Sequence, residues 1–405
     1  MNKQLPMSLQ QLDHLDILRR AERREITRMK AAGLLNLTDR TIRRQLKHLE
    51  EDGPVFLQHG LRGRVSNNRM PRTEEEKIKK ILLSRYPDFH PTFAAEKLSE
   101  IHGMERDPKT IARIQIGLGL HKPRKNRKKS GHRFFRVRRS VFGELIQFDG
   151  SYHDWFEGRG GIGEVCLLLA IDDATGRITY ASFAPHEGVL PVMGFWLEYA
   201  RIQGIPQSVY LDRFSTYSMN VKLAGENPDT LTQFERAAKE AGLKVIHAYS
   251  SQAKGRVERV FGTLQDRLVK EMRLAGISTM EEADRFLQET FIPDFNERFA
   301  VPARSQGNLH RTVSKSELED ILPFIFCRRE GRTIQNDFTV SFKRQWLQLL
   351  PTPRLAMRPK ERVEVHQLPD ESLRVLVRGK EANFHPLPEK AISHSRRPMY
   401  QTIKT

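Results

Sequence analysis

The sequence predicts a multidomain α/β protein. It should carry N-terminal helix-turn-helix domains, a central mixed sheet with flanking helices, and a small C-terminal β-barrel. Three observations lead there. Apolar residues recur with helical spacing up to about residue 120, and the pattern becomes strand-like from Glu144. The formal charge of +18 is placed unevenly: residues 141–305 hold 17 Lys and Arg against 23 Asp and Glu, leaving the flanks strongly basic. Finally, 405 residues make room for roughly two to four domains of ordinary size.

Composition excludes several classes. Two cysteines, Cys166 and Cys327, rule out a disulfide scaffold or a Cys-rich zinc module. The longest apolar run, Val165–Ile171, is far short of the roughly 20 residues that a membrane span needs. The segment Met1–Pro6 has no signal-peptide core, so a cytoplasmic location is expected. A basic excess of this size points to a polyanionic partner, nucleic acid first.

The N-terminal elements follow from the apolar stripes. In 8–53, Leu12, Leu15 and Leu18 open one helix, Arg24–Ala32 forms a second ending near Gly33, and Thr38 starts a third. Ile42, Leu46 and Leu49 share the inner face of that third helix, with Arg40, Arg43, Arg44 and Lys47 off it. Helix, turn and basic helix is the helix-turn-helix pattern, which an ordinary three-helix bundle also shares. A second helical domain is expected at 73–120. There Thr73 and Glu76 form a capping box ahead of Ile78, Ile81 and Leu82, and Pro91–His102 is the next helix. Asp107-Pro108 opens the last one, with Ile111, Ile114 and Leu118 inward and Lys109, Arg113 and Gln115 outward. Ten of the twenty residues in 121–140 are Lys or Arg and none is acidic. That stretch reads as a linker whose Arg124, Lys125, Arg127, Lys128 and Lys129 contact phosphate.

The core is expected at 141–305. Glu144–Ser151, Val165–Ile171 and Arg177–Phe183 read as strands, followed by helix Leu190–Gln203, strand Ser208–Asp212, helix Asp229–Ala241, strand Leu243–Tyr249 and helix Gln252–Arg273. A further helix, Ser278–Phe291, closes the core. Asp149 and Asp212 then stand near the ends of two strands and Glu258 on a nearby helix. Three such oxygen donors suit Mg²⁺ or Mn²⁺, and a two-ion site can activate an attacking oxygen and stabilise a leaving 3′ oxygen. Each acid also has a plain structural reading: a turn cap, a loop acid, a partner for Lys254. Asp172 and Asp173 fall in a hairpin turn where such residues are expected without any catalytic role. Asp154 and Glu157 either approach the site from a loop or solvate it. Gly158–Gly163 formally matches GxGxxG but precedes a strand, so the helix N-terminus that would hold a pyrophosphate is missing. No P-loop is present, so no nucleotide cofactor is expected.

Three segments carry a family resemblance: Gln147-Phe148-Asp149-Gly150-Ser151, Tyr210-Leu211-Asp212-Arg213 and Gln252–Arg259 with its Glu258. With the order of elements, they resemble the retroviral-integrase-like (RNase H-like) core of DDE transposases. His153–Arg159 resembles insertion-sequence transposases of the ISNCY type, and Phe295–Arg298 with Pro302 resembles the segment that follows such cores. The resemblance implies that Asp149, Asp212 and Glu258 hold two Mg²⁺ or Mn²⁺ ions. It implies binding of terminal inverted repeats in double-stranded DNA, 3′-end cleavage and strand transfer into a target. It also implies a homo-oligomer on DNA and a nucleoid-associated place in a bacterial cytoplasm. Some relatives carry a basic residue two turns after the glutamate. Here that position is Gln265, and Lys254 is the residue left for the DNA contact. A catalytically inactive DNA-binding regulator and a metal-dependent nuclease of the same fold remain alternatives.

Toward the C-terminus, Ser316–Leu322 reads as a short helix with Ser316 as its N-cap. Strands at Arg332–Phe342, Arg362–Gln367 and Leu373–Arg378 predict the barrel at 324–387, followed by a basic tail, 388–405. Arg328, Arg329, Arg332, Lys343 and Arg344 are candidates for gripping phosphate.

Overall fold

The computed structural model describes residues 7–58, 69–123, 137–212, 227–248, 251–350, 352 and 354–387; at 212, 227–232, 248 and 251–254 it describes the backbone alone. The linker cations Arg124 to Lys129 and the tail 388–405 lie outside the described residues. The chain divides into two compact units, Met1–Tyr86 and Pro87–Thr405.

The first unit contains helices α1 (Leu9–Glu22), α2 (Arg28–Leu35), α3 (Asp39–Asp52) and α4 (Arg72–Arg85). Leu15, Leu18, Ala31, Ala32, Ile42 and Leu49 form a buried cluster beneath the first three. The turn between α2 and α3 is not where glycine suggested. Gly33 sits inside α2, and Asn36 takes the left-handed cap at φ 54°, a conformation that asparagine tolerates better than most residues. Thr38 then caps α3, its hydroxyl accepting from the Thr41 N–H at 3.2 Å. The capping box at Thr73 does not form: α4 starts one residue earlier, directly after Pro71 and with no side-chain cap. The boundary between the units falls inside the span read as one second helical domain.

The second unit opens with α5 (Pro91–His102) and α6 (Pro108–Gly117), the latter capped by Asp107, which accepts from the Lys109 N–H at 2.7 Å. Gln115 is buried, contrary to the outward expectation. Its amide donates to the Phe89 carbonyl at 2.9 Å, so a polar side chain joins Ile111 on the inner face by satisfying a backbone group there.

The core then runs β1 (Ile146–His153), β2 (Val165–Asp172), β3 (Ile178–Ala184), α7 (Val189–Gln203), β4 (Ser208–Asp212), α8 (Asn227–Ala241), β5 (Lys244–Ala248) and α9 (Ser251–Leu274). The sheet order is β3-β2-β1-β4-β5. The first three strands are antiparallel neighbours, and β4 lies parallel to both β1 and β5. Alternation along β1 and β2 gives the sheet two apolar faces. Ile146, Phe148, Leu168 and Ala170 pack with Trp196 and Tyr199 of α7 and Phe234 of α8. Leu167, Leu169 and Ile171 pack on the other face with Val257, Phe261, Leu264 and Leu268 of α9. Helices on both faces of a mixed sheet are the packing expected of this element order.

The closing helix is longer than its sequence pattern indicated. It begins as α10 (Met280–Phe286) behind a Thr279/Glu282 capping box, passes through a π-helical turn at Leu287–Phe291, and continues as α11 (Ile292–Phe299). Ser316 is not a cap. Its backbone is already helical, and Ser314 accepts from the Glu317 N–H at 3.2 Å ahead of α12 (Leu322–Ile325). The expected strand Arg332–Phe342 is split by a turn at Gln335–Phe338, with Phe338 at φ 58°. The result is β6 (Arg328–Thr333), β7 (Thr339–Phe342), β8 (Gln345–Leu350), β9 (Arg362–Gln367), β10 (Leu373–Val377) and β11 (Lys380–Leu387). They form a nearly closed antiparallel sheet, β6-β9-β10-β11-β8-β7, consistent with a small barrel. Among the described residues no helix is long and apolar enough to cross a membrane.

Burial at the β3–α10 contact pushes the Asp284 carboxyl up to about 7, although the Phe183 N–H donates to it at 2.7 Å. A folded pKa above the unfolded value means that the native state holds the proton longer, so stability falls as pH rises from the usual carboxylate range toward 7. Asp284→Asn keeps the acceptor and removes the titration. Thermal melts should show it stabilising the chain at pH 8 relative to wild type, with the difference shrinking toward pH 4.

Candidate active site on β1, β4 and α9

The register of two parallel strands aligns the positions of the first two acids. Ile146 faces Val209 and Gln147 faces Tyr210; two residues farther along each strand come Asp149 and Asp212. Equivalent positions on adjacent strands are about 4.8 Å apart. Asp149 is half-buried and pairs across β2 with Leu169, a residue of the apolar face that α9 covers. Val209 and Leu211 pack on the opposite face, so alternation assigns the Asp212 position to the α9 side as well.

Glu258 comes from α9, and α9 is tied to β1 on both sides of Asp149. The Val257 N–H donates to the Gln147 side-chain oxygen at 3.4 Å, and Gln265 donates to the Ser151 hydroxyl at 3.2 Å. From Val257 to Gln265 the helix rises about 12 Å, and from Gln147 to Ser151 the strand runs about 13 Å. The two elements therefore travel side by side in the same direction. Glu258 and Gln265, seven residues apart, share a flank of α9. Glu258 is exposed, one residue past the Gln147 tie, which sets it level with the segment Gln147–Asp149. Gln265 is thus a strut to β1. The side chain of Lys254 is outside the described residues.

The paired acids of the hairpin turn have structural roles, as their turn chemistry indicated. Asp172 is fully buried and accepts from the Gly143 N–H at 3.0 Å, the Thr175 N–H at 2.8 Å and the Thr175 hydroxyl at 2.7 Å. Burial raises its pKa against those donors. Asp173, equally buried, accepts from the Gln147 amide at 2.6 Å, the Arg139 N–H at 2.8 Å and the Arg256 guanidinium at 2.5 Å. Sequence reasoning missed this last cluster. Its one signal was an Arg two residues before Glu258, whose partner lies 83 positions away.

Asp154 and Glu157 also resolve into supports. Asp154 accepts from the Gly158 N–H at 3.2 Å, and Glu157 pairs with Arg159 at 2.6 Å and with Arg273. Arg273 holds the Glu157 carboxyl below the usual range. The Gly158–Gly163 stretch is a loop before β2 with a short 3₁₀ turn, Arg159–Gly161. Gly160, at φ 63°, lies too close to the Ser278 carbonyl for any side chain. Burial, with the Glu187 and Asp149 carboxylates nearby, pushes the Cys166 thiol well up, so it is no nucleophile. Among the described residues no group of three or more His, Cys, Asp or Glu side chains is arranged as a metal site.

The basic residues nominated on α3 and α6 are all exposed: Arg40, Arg43, Arg44, Lys47, Lys109 and Arg113. Arg43 reaches Asp39 at 3.2 Å and Lys47 reaches Glu51 at 3.6 Å; such exposed pairs are weak and exchange readily. Within the second unit, α5 is fixed to the outer side of α9 and to α11 by ion pairs. Arg267 grips Glu96 with two bonds of 2.5 and 2.8 Å, Lys97 meets Glu271 at 2.6 Å, and Arg298 meets Glu100 at 2.6 Å. Arg273 adds two bonds to Asp88 at 2.9 and 2.8 Å.

No family model matches the sequence. The protein y4bF of Sinorhizobium fredii (strain NBRC 101917 / NGR234), named as a transposase, is 36% identical over 401 residues, covering 98% of this chain and 84% of that protein. The transposase for insertion sequence IS1202 of Streptococcus pneumoniae is 30% identical over 308 residues, covering 67% of this chain and 65% of that protein. Among solved structures, the HTLV-2 integrase catalytic core domain in complex with magnesium aligns at 17% identity with a TM-score of 0.28, over 36% of this chain and 82% of that one. A simian T-cell lymphotropic virus intasome chain aligns at 12% identity with a TM-score of 0.32, over 76% of this chain and 98% of that one.

Because Asp172 serves three donors with both oxygens, an amide in its place must leave part of that set unpaired. Asp172→Asn should cost about 1–3 kcal/mol of stability, measured by denaturant or thermal unfolding.

Proposed function

The chain belongs to the transposase family, and from that premise we propose that it is a DDE-type DNA transposase. It binds the terminal inverted repeats of its insertion sequence, cleaves at the 3′ ends, and joins those ends to target DNA. One observation carries this reading: the β1–β4 register brings Asp149 and the Asp212 position side by side on the face that α9 covers, and α9 presents Glu258 at the same level. Three carboxylates drawn from two strands and a helix would form a hard, all-oxygen donor set, which fits Mg²⁺ or Mn²⁺. Two such ions, when bound, supply Lewis-acid stabilisation of the attacking and leaving oxygens.

The protein's own residues do the rest. Asp149 and Asp212 give a fixed edge because each is held in the sheet ladder; Glu258 completes the set from α9. The attacking groups are a water molecule and then the freed 3′ hydroxyl of DNA, so no side-chain nucleophile is required. Arg40, Arg43, Arg44 and Lys47 on α3 meet the repeat as the exposed face of a helix-turn-helix. Lys109 and Arg113 on α6, the linker cations Arg124, Lys125, Arg127, Lys128 and Lys129, and Lys254 add phosphate contacts. Joining two ends in concert calls for a homo-oligomer on DNA. A nucleoid-associated place in the bacterial cytoplasm goes with this reading.

Asp149→Asn, Asp212→Asn and Glu258→Gln should each abolish nicking and joining of labelled element ends in Mg²⁺ while end binding stays within a few-fold of wild type. Full activity in any of the three removes that residue from the set. Cutting without joining by the wild-type protein would instead make it a nuclease, and binding alone would make it a regulator. Arg43→Ala with Arg44→Ala should weaken end binding and flatten its salt dependence, the log–log slope falling by about one for each phosphate no longer neutralised, read from affinities across a salt series.

A further inference from the structure

Resting on the catalytic reading above, we propose that Asp173 is the positioning residue that sets where Glu258 stands relative to Asp149 and Asp212, acting through Arg256 and Gln147.

Asp149 and Asp212 are placed by the sheet itself. Glu258 is not; its place depends on how far α9 has slid along β1 and how far it has turned. The apolar side chains beneath α9, Val257, Phe261, Leu264 and Leu268, hold it down but are non-directional. Directional contacts have to fix slide and rotation. The fully buried Asp173 carboxylate stands at the centre of one such set. One of its oxygens accepts from both Gln147 at 2.6 Å and Arg256 at 2.5 Å, and its other oxygen is held by the Arg139 N–H at 2.8 Å. Gln147 turns its remaining oxygen to the Val257 N–H. The loop closes on itself, from the turn after β2 to β1, to the backbone of α9 and back through the Arg256 side chain. It grips α9 at the two residues directly before Glu258.

Fold stability alone does not call for this arrangement. A buried ion pair is poor evidence of stabilisation, since well-packed apolar residues often do as well or better. Its distinctive product is registry. Hydrogen bonds weaken steeply as their geometry departs from linear, so a shift of α9 along β1 weakens the whole set at once. Rate is correspondingly sensitive to displacement of the reacting groups. The neighbouring Asp172 offers a natural contrast. It is as deeply buried, but among the described residues its carboxylate accepts from Gly143 and Thr175 and from no part of α9.

The test compares full-length Asp173→Asn, Arg256→Lys and Asp172→Asn with wild type. Four quantities are read: affinity for labelled element ends, nicking rate against Mg²⁺ concentration, Mn²⁺ binding to the DNA-free protein by paramagnetic resonance, and thermal stability. Asp173→Asn and Arg256→Lys should bind ends as wild type does, yet lose on the order of 10-fold in Mn²⁺ affinity and nicking rate, the lower end of what disturbed support of metal ligands costs. High Mg²⁺ should partly rescue nicking. Asp172→Asn should lose stability without moving either metal dependence. Should Asp173→Asn not fold, Arg256→Lys carries the same comparison. Wild-type metal affinity and Mg²⁺ dependence in the folded variants would overturn the inference alone. Undiminished nicking by Asp149→Asn would instead overturn the catalytic reading, and this inference with it.

Discussion

Everything at the candidate site depends on the pairing of β4 beside β1 in a single register. A one-residue slip between these strands would carry the Asp212 position to the other face of the sheet, among the side chains of α7 and α8. Two features guard against that slip. Val209 and Leu211 belong to the apolar cluster with Phe148 and Trp196, so slipping would bring polar positions into that core. Ser208 also donates to the Glu144 carbonyl at 2.6 Å, a fixed pin at the strand's start. Register here is enforced by hydrophobic burial on one face, and the carboxylates on the other face inherit it.

The same logic explains which parts of the molecule the sequence revealed. Strands and helices of the core follow in the order expected because each has a strong period and most are bounded by Gly, Pro or Asx turns. Membership of the transposase family likewise agrees with the resemblance carried by Gln147–Ser151, Tyr210–Arg213 and Gln252–Arg259. What escaped were local choices between near-equivalent residues. Gly33 and Asn36 both suit a left-handed turn, and the helix runs on past Gly33, with Ala31 and Ala32 buried, to end at Asn36. Ser314 and Ser316 both suit an N-cap. Gln115 is polar and looked outward, but a buried carbonyl at Phe89 needed a donor. Each error lies where a tertiary partner, invisible in a window of sequence, settles the choice.

The supporting acids show this most clearly. Asp172 and Asp173 are adjacent in sequence and equally buried, and turn chemistry alone accounts for finding both there. One accepts from Thr175 in its own hairpin and from Gly143 ahead of β1. The other reaches Arg256, far along the chain, and ties the helix that carries Glu258 to the sheet. Sequence spacing can nominate the three outer carboxylates, since their types and order follow a family pattern. It does not reveal contacts such as that of Asp173 with Arg256, because those contacts are made across the fold.

If the chain acts on DNA as proposed, the charged clasp between α5 and α9 bears on measurement of length along the duplex. Glu96, Lys97 and Glu100 pair with Arg267, Glu271 and Arg298, which ties α5 to α9 and α11. On the proposed reading, a duplex whose phosphates rest on Lys109 and Arg113 would meet Glu258 at a reach set by that clasp, and the spacing of the helices would act as a caliper between the gripped backbone and the bond that is cut.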